Sequence, residues 1–193
     1  MKLPPYAVRV GEFVLPKPIG GHPALELCNT YAGWGEPPLP RGEWLRDYPT
    51  LLAWAEFTGL IESTSPRPGG EEVLAAVRSF RGALYRLLRH GEGFEEVAAR
   101  ADRANALTTL TADPDGGARF RLPPSSDPEL PLHAAALAAA DLLSSKARVG
   151  ACPGPGCGWL FLDPRGRRVW CNMASCGNRA KVKAHADRQR SGE

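Results

Sequence analysis

Four of the five cysteines fall in the last quarter of the chain, as Cys152, Cys157, Cys171 and Cys176. They form two C-x4-C pairs separated by thirteen residues. Each pair turns tightly enough to present two thiolates to one point, and the insert returns the second pair to it, which is what a tetrahedral zinc ion needs. Four sulfurs leave no coordination position for water, so one structural Zn2+ is expected, not a catalytic one. Two disulfides, a redox pair or an iron–sulfur cluster are the other chemistries open to these residues. The opening MKLPPYAVRV lacks an apolar stretch behind a basic start and does not read as a secretory signal. The expected compartment is therefore the reducing cytoplasm, where thiols persist and bind metal. His185 is a distant alternative ligand, and Cys28, alone in an apolar run, reads as a packed small side chain.

The elements that position the cysteines can be placed along the tail. Val149 to Ala151 leads into a knuckle in which Cys152 and Cys157 bracket PGPG. Trp159 to Leu162 reads as a strand, DPRG at 163–166 as a turn, and Arg167 to Trp170 as a return strand. Cys171 closes that strand, and Cys176 opens a final helix from about Ser175 to Gln189, where the helix dipole favours a thiolate. Knuckle, hairpin and helix describe a treble-clef-like zinc finger, covered by Trp159, Phe161 and Trp170. An Asp163–Arg179 pair across the finger is also expected. So short a module buries too little to hold itself together without metal.

The preceding residues read as mostly helical with a few short strands. Short strands are expected between Tyr6 and Leu15, with Gly11 at the turn, and a short buried helix over PALELCNTY, 23–31. A helix follows with Asp47 or Tyr48 at its cap and Pro49 at its first position, ended by Gly59. STSPRPGG, 63–70, reads as a linker. Glu71 and Glu72 open a long helix stopped by Gly91, and an amphipathic helix is expected from Phe94 to Leu110. Ala118 to Leu122 alternates as a strand, and Leu132 to Ser145 is alanine-rich and helical. The expected fold class is α+β, with a domain over 1–145 and a finger over 146–193. No apolar run approaches the ~20 residues of a membrane helix, so no membrane partner is expected.

Net charge is +3, but it is divided unevenly. Residues 1–150 hold 16 Lys/Arg and 18 Asp/Glu, whereas residues 151–193 hold 8 Lys/Arg and 3 Asp/Glu. A positive excess on the cysteine-bearing tail points to an anionic partner. Arg179, Lys181, Lys183, Arg188 and Arg190 lie on the final helix, and Arg165, Arg167 and Arg168 at the hairpin tip. Such a surface suits duplex DNA, because cations there displace counterions from phosphates. Asn29 and Thr30, after the buried run, are candidates for a ligand pocket. No P-loop, GxGxxG, HExxH or nucleophile elbow occurs, so an enzyme is not expected.

The stretch CGWLFLDPRGRRVWCNMASCGNRAKVKAH, 157–185, resembles the CGNR zinc-finger family, whose tetrapeptide stands here as Cys176-Gly177-Asn178-Arg179. PALELCNTY and LLAWAEFTGL, 51–60, resemble the ABATE domain found ahead of that finger. The resemblance implies a bacterial, stress-linked transcription regulator that binds DNA through the finger. An N-terminal domain sensing a small molecule or a protein, and a homodimer reading paired half-sites, would complete such a regulator. A protein-interaction module built on the finger, or an RNA-binding protein, is the alternative.

Overall fold

The structure is a computed structural model that describes residues 3–37, 42–62 and 69–191. By compactness the chain divides into two units, Met1–Trp44 with Ala147–Glu193, and Leu45–Lys146. The expected linker at 63–70 lies mostly outside the described residues.

In the first unit, strands β1 (Ala7–Val10) and β2 (Phe13–Pro16) form an antiparallel hairpin with Ala7 opposite Pro16 and Val10 opposite Phe13. Helix α1 (Pro23–Cys28) is only six residues long, too short to persist by propensity. It is held by burial of Ala24, Leu25, Leu27 and Cys28, all fully covered. Glu26 on the same helix is also buried, and its carboxylate accepts from the Gly21 amide at 2.8 Å and the Ile19 amide at 3.1 Å. Burial pushes its pKa up despite those bonds. Beyond α1 the chain crosses itself: Tyr31 bridges Glu43, Ala32 donates to the Gly42 carbonyl at 2.7 Å, and Trp44 to Thr30 at 3.0 Å. Strands β5 (Val149–Ala151) and β6 (Leu160–Leu162) pair antiparallel, and α1 packs on β6. Helix α6 (Asn178–Ser191) ends the unit.

The second unit is helical. Helix α2 (Tyr48–Phe57) is capped by Asp47, which accepts from the Thr50 amide at 2.8 Å and also from its hydroxyl. Pro49 sits one place further into the helix than expected, because Tyr48 already has helical geometry. Helix α3 (Glu71–His90) buries Leu74, Val77, Phe80 and Leu84 at three- and four-residue intervals. Gly91 ends it in the left-handed conformation, with φ +74°, its amide bonding Leu87. Helix α4 (Phe94–Ala106) and helix α5 (Leu130–Ser144) pack together and against α3. Ala135, Ala136 and Ala139 are buried on α5, small enough to let its neighbours approach closely. Trp54 and Leu132 complete this core.

Two expected elements differ. The helix from Phe94 stops at Ala106, and Leu110 instead lies in strand β3 (Thr109–Ala112), paired with β4 (Ala118–Arg121). All eight strand residues are exposed, so β-pairing, not burial, decides this segment. Asp113 at its turn pairs with Arg119, and Arg121 approaches at 3.8 Å. The return strand over Arg167–Trp170 does not form, because β6 takes β5 on one edge and the Gly20 carbonyl and Asn29 side chain on the other. No helix among the described residues is long and apolar enough to cross a membrane.

Asp47→Ala removes the cap of α2 and should cost about 1 kcal/mol, read as a lower urea midpoint. Asp47→Ser should restore most of it, since a hydroxyl also accepts from the third helical amide.

Candidate metal centre and basic helix

The first cysteine pair stands at the tip of the β5–β6 hairpin. Cys152 donates its amide to the Trp159 carbonyl at 2.8 Å, extending the ladder one step, and Cys157 donates to Gly154 at 2.9 Å. On either side of Cys157 the chain reverses through Gly156 and Gly158, with φ of +67° and +66°, a conformation that side chains with a Cβ resist. Cys171 follows the loop after β6. Cys176 lies in a wide π-type turn, Met173–Gly177, that runs directly into α6, one step ahead of the helix in which it was expected. Asn172 caps this turn through a 2.7 Å bond from the Ala174 amide.

The four sulfurs come together within 4.8 Å of one another. Cys157 and Cys171 are 3.6 Å apart, and Cys171 and Cys176 3.7 Å. A disulfide requires about 2.05 Å, and none of the cysteines forms one. Zinc–sulfur bonds of about 2.3 Å in a tetrahedron place sulfurs about 3.8 Å apart, close to the spacing found. Acidities within the cluster point the same way. Bonds from Cys157 and then Cys171 draw Cys152 down to about 7. Bonds from Cys152, Cys157 and Cys171 hold Cys176 well below the usual thiol range. Cys157 and Cys171 are pushed up, first by the Cys152 sulfur against them and further by burial. The cluster left to itself therefore resists full ionisation. A dication supplies the charge that lets all four bind as thiolates. The donor set is closed and soft, and it holds one structural zinc ion.

Side chains around the sulfurs fix them. Arg179 donates to the Cys176 sulfur at 3.1 Å. Arg168 bonds the carbonyls of Cys171 at 2.6 Å, Ile19 at 2.7 Å and Trp170 at 3.2 Å, with its guanidinium 4.3 Å above the Phe161 ring. Asp163 accepts from the Arg168 amide at 3.1 Å and the Arg167 amide at 2.8 Å, which together hold its carboxyl below the ordinary range. Its other oxygen faces Arg148 at 3.7 Å, so the expected Asp163–Arg179 pair is replaced by these contacts. Trp159 and Phe161 are buried against the cluster, and Trp170 is half-buried beside it.

The N-terminal segment takes part in the same packing. The Asn29 side chain donates to the Leu160 carbonyl at 2.9 Å and accepts from the Leu160 amide at 2.8 Å, in effect adding one peptide's worth of pairing to β6. Thr30 bonds the Leu27 carbonyl at 2.6 Å. Both residues are fully buried at the place expected of a ligand pocket, and Asn29 also bonds the Glu26 carboxylate. The Trp159 indole donates to Tyr31 at 2.9 Å. Tyr6, Ile19, Ala32 and Trp34 also pack against the cluster. Their only signal in the sequence was aromatic and apolar character in a Pro- and Gly-rich stretch, which does not specify a partner.

The basic residues separate into two groups. Arg165 and Arg167 are exposed on the loop, and Lys181, Lys183, Arg188 and Arg190 are exposed on α6, where Arg190 pairs with Asp187 at 2.8 Å. Arg179 is exposed but engaged with sulfur, and Arg168 is engaged inside the finger. His185 is exposed and outside the sulfur cluster.

Protein purified without chelator should carry one zinc equivalent by metal analysis. Cys171→Ser should lose most of it, and chelation should unfold the β5–α6 segment, seen as lost helical circular dichroism. Asn29→Ala leaves both Leu160 backbone groups unpaired and should cost about 2–3 kcal/mol in urea unfolding. Asp163 contributes stability above its unfolded value near 3.9, which is lost as pH falls through its lower folded value. The melting-temperature gap between the native chain and Asp163→Asn should therefore be widest near neutrality and close below about pH 4.

Comparison with known families agrees with this geometry. Residues 21–146 match the model of the ABATE family, described as "Putative stress-induced transcription regulator". Residues 148–189 match the CGNR zinc finger. No curated protein matches the chain. With a closed four-sulfur site at the positions of that finger, the chain belongs to the ABATE family and carries a CGNR zinc finger.

Proposed function

We propose that this protein is a zinc-dependent regulator of transcription that binds duplex DNA through α6 and the loop before Cys171. The observation that carries the reading is α6 itself. It is a 14-residue helix with no buried residue. A helix of this length that buries no face gains little from packing, and its own propensity is marginal. Its outward cations, Lys181, Lys183 and Arg188, are joined by Arg165 and Arg167 on the loop. Phosphates are the partner for which such a surface gains affinity by counterion release. Zinc supports the helix from its first turn, because Cys176 precedes it by two residues and Arg179 ties it to the sulfur.

Duplex is favoured over single-stranded RNA, which needs exposed aromatic platforms. Trp159 is only 3% exposed. The reading gives residues 146–193 the DNA contact and residues 1–145 the response to a small molecule or protein. A dimer would double the contact area of a single small finger.

Fluorescence anisotropy on a labelled duplex pool at about 50 and 200 mM salt tests this reading. Binding should weaken steeply with salt. Lys181→Ala with Lys183→Ala should flatten the log–log slope by about one unit per lost contact. Arg168→Ala should act differently, lowering zinc retention and melting temperature while leaving the slope of the folded fraction unchanged. Absence of duplex binding at low salt by zinc-loaded protein would overturn the reading.

A further inference from the structure

Three of the four zinc ligands share a wall with open space. A pocket of about 140 Å³ is lined by Cys157, Cys171 and Cys176, together with Ser175 and Arg179. Tyr6, Ala32, Trp44 and Trp159 form its apolar side, where the Tyr6 ring stands edge-on to both indoles. Cys152 is the ligand that does not line it. Cys171 and Cys176 are each 3% exposed, which leaves the pocket as the route by which a small molecule reaches their sulfurs. The Arg179 guanidinium bonds the Cys176 sulfur at 3.1 Å, and the Cys171 sulfur stands 3.7 Å from it. The fifth cysteine, Cys28, is fully covered and lies outside the cluster.

Two thiolates and a guanidinium thus meet at one small cavity. Thiolate is the form of sulfur that two-electron oxidants modify, and metal ligation keeps cysteine in that form. A guanidinium beside the sulfur stabilises negative charge on an oxygen that departs from it. Size and charge select the oxidant. A cavity of ~150 Å³ accepts nothing much larger than benzene, and hydrogen peroxide is little larger than water. Four thiolates and one zinc ion leave a formal charge of about −2, of which Arg179 offsets only part. An anionic oxidant meets like charge there, and a neutral hydroperoxide does not.

We propose that Cys176 and Cys171 are an oxidative modification site for hydrogen peroxide, which links them as a disulfide and so discharges the zinc. The Cys176 thiolate attacks one peroxide oxygen. The O–O bond breaks, a sulfenic acid forms on Cys176, and hydroxide leaves beside Arg179. The Cys171 thiolate then attacks the Cys176 sulfur, forms the S–S bond and expels a second hydroxide. Two electrons pass from the sulfurs to the peroxide, and both hydroxides take protons from solvent. Cys157 also lies 3.6 Å from Cys171, but the bond from Arg179 falls on Cys176 and decides which sulfur is oxidised first. Cys152 and Cys157 are then half a donor set, too few to retain the metal tightly. This chemistry rests on the zinc site. It depends on the DNA reading only for its consequence, since Cys176 lies in the turn that runs into α6 and its oxidation frees the start of the basic helix.

The test uses the zinc-loaded full chain without DNA, so that its result stands apart from any result on DNA binding. Zinc release is followed with a chromogenic chelator, with and without peroxide, and the products are mapped by peptide mass spectrometry. Peroxide at about 1 mM should discharge the zinc within about an hour, leaving Cys171 linked to Cys176 and Cys28 reduced. Dithiothreitol followed by zinc should restore the metal. Ala32→Leu fills part of the pocket, and it should keep its zinc yet lose it to peroxide severalfold more slowly. Arg179→Gln should slow the peroxide-dependent rate about 10-fold, read against its own peroxide-free loss, and Arg179→Lys should recover part of it. Zinc retained at about 10 mM peroxide, a first disulfide through Cys152 or Cys157, sulfonic acids without a disulfide, or an undiminished rate in Ala32→Leu or Arg179→Gln would each overturn the proposal. The disulfide map is made on the native chain and holds even where a variant loses its metal.

Discussion

Four buried sulfurs within 4.8 Å of each other are the constraint around which the finger is organised. Such a cluster cannot ionise fully alone, because each new thiolate raises the cost of the next. A zinc dication removes that conflict and converts it into folding energy for strands and turns too short to hold themselves. Strand β5 and strand β6 have three residues each, and the turn carrying Cys176 has five. None is stable in isolation. The turn carries a sulfur and the strands flank the knuckle that carries two more, so closing the cluster fixes all three.

The metal is not the only tie. Asn29 completes the hydrogen bonding of Leu160, Arg168 gathers three carbonyls from two distant parts of the chain, and Trp159 reaches Tyr31. These bonds explain why the first 44 residues share a compact unit with the cysteine-bearing segment. They also redistribute the charge. Arg168 is consumed in holding the loop, whereas α6 buries nothing and keeps its lysines outward. Fixed and presented cations are adjacent in sequence but differ in what they touch.

Reading ahead from residues succeeded where one force dominates. The long helix from Glu71 to Gly91 follows from apolar spacing, acidic residues at its start and a left-handed glycine at its end. It failed where two weak preferences compete. Thr109–Ala112 is exposed on both strands of its hairpin, so no pattern of burial marks it, and the amphipathic pattern of α4 reads through it. The stretch Arg167–Trp170 has strand-like residues but no free edge to join, since β6 pairs with β5 on one edge and bonds the Gly20 carbonyl and the Asn29 side chain on the other.

The four-cysteine site and its zinc were determined by sequence alone, because ligand identity and spacing are properties of the chain. So was the concentration of positive charge at the C-terminal end. Tertiary structure decided which cations face outward, which residues brace the sulfurs, and which aromatics meet beside them. Tyr6, Trp44 and Trp159 are separated by as many as 153 positions, and nothing local marks them as neighbours. Their meeting depends on backbone pairing between distant segments, a property that arises only once the chain has closed on itself.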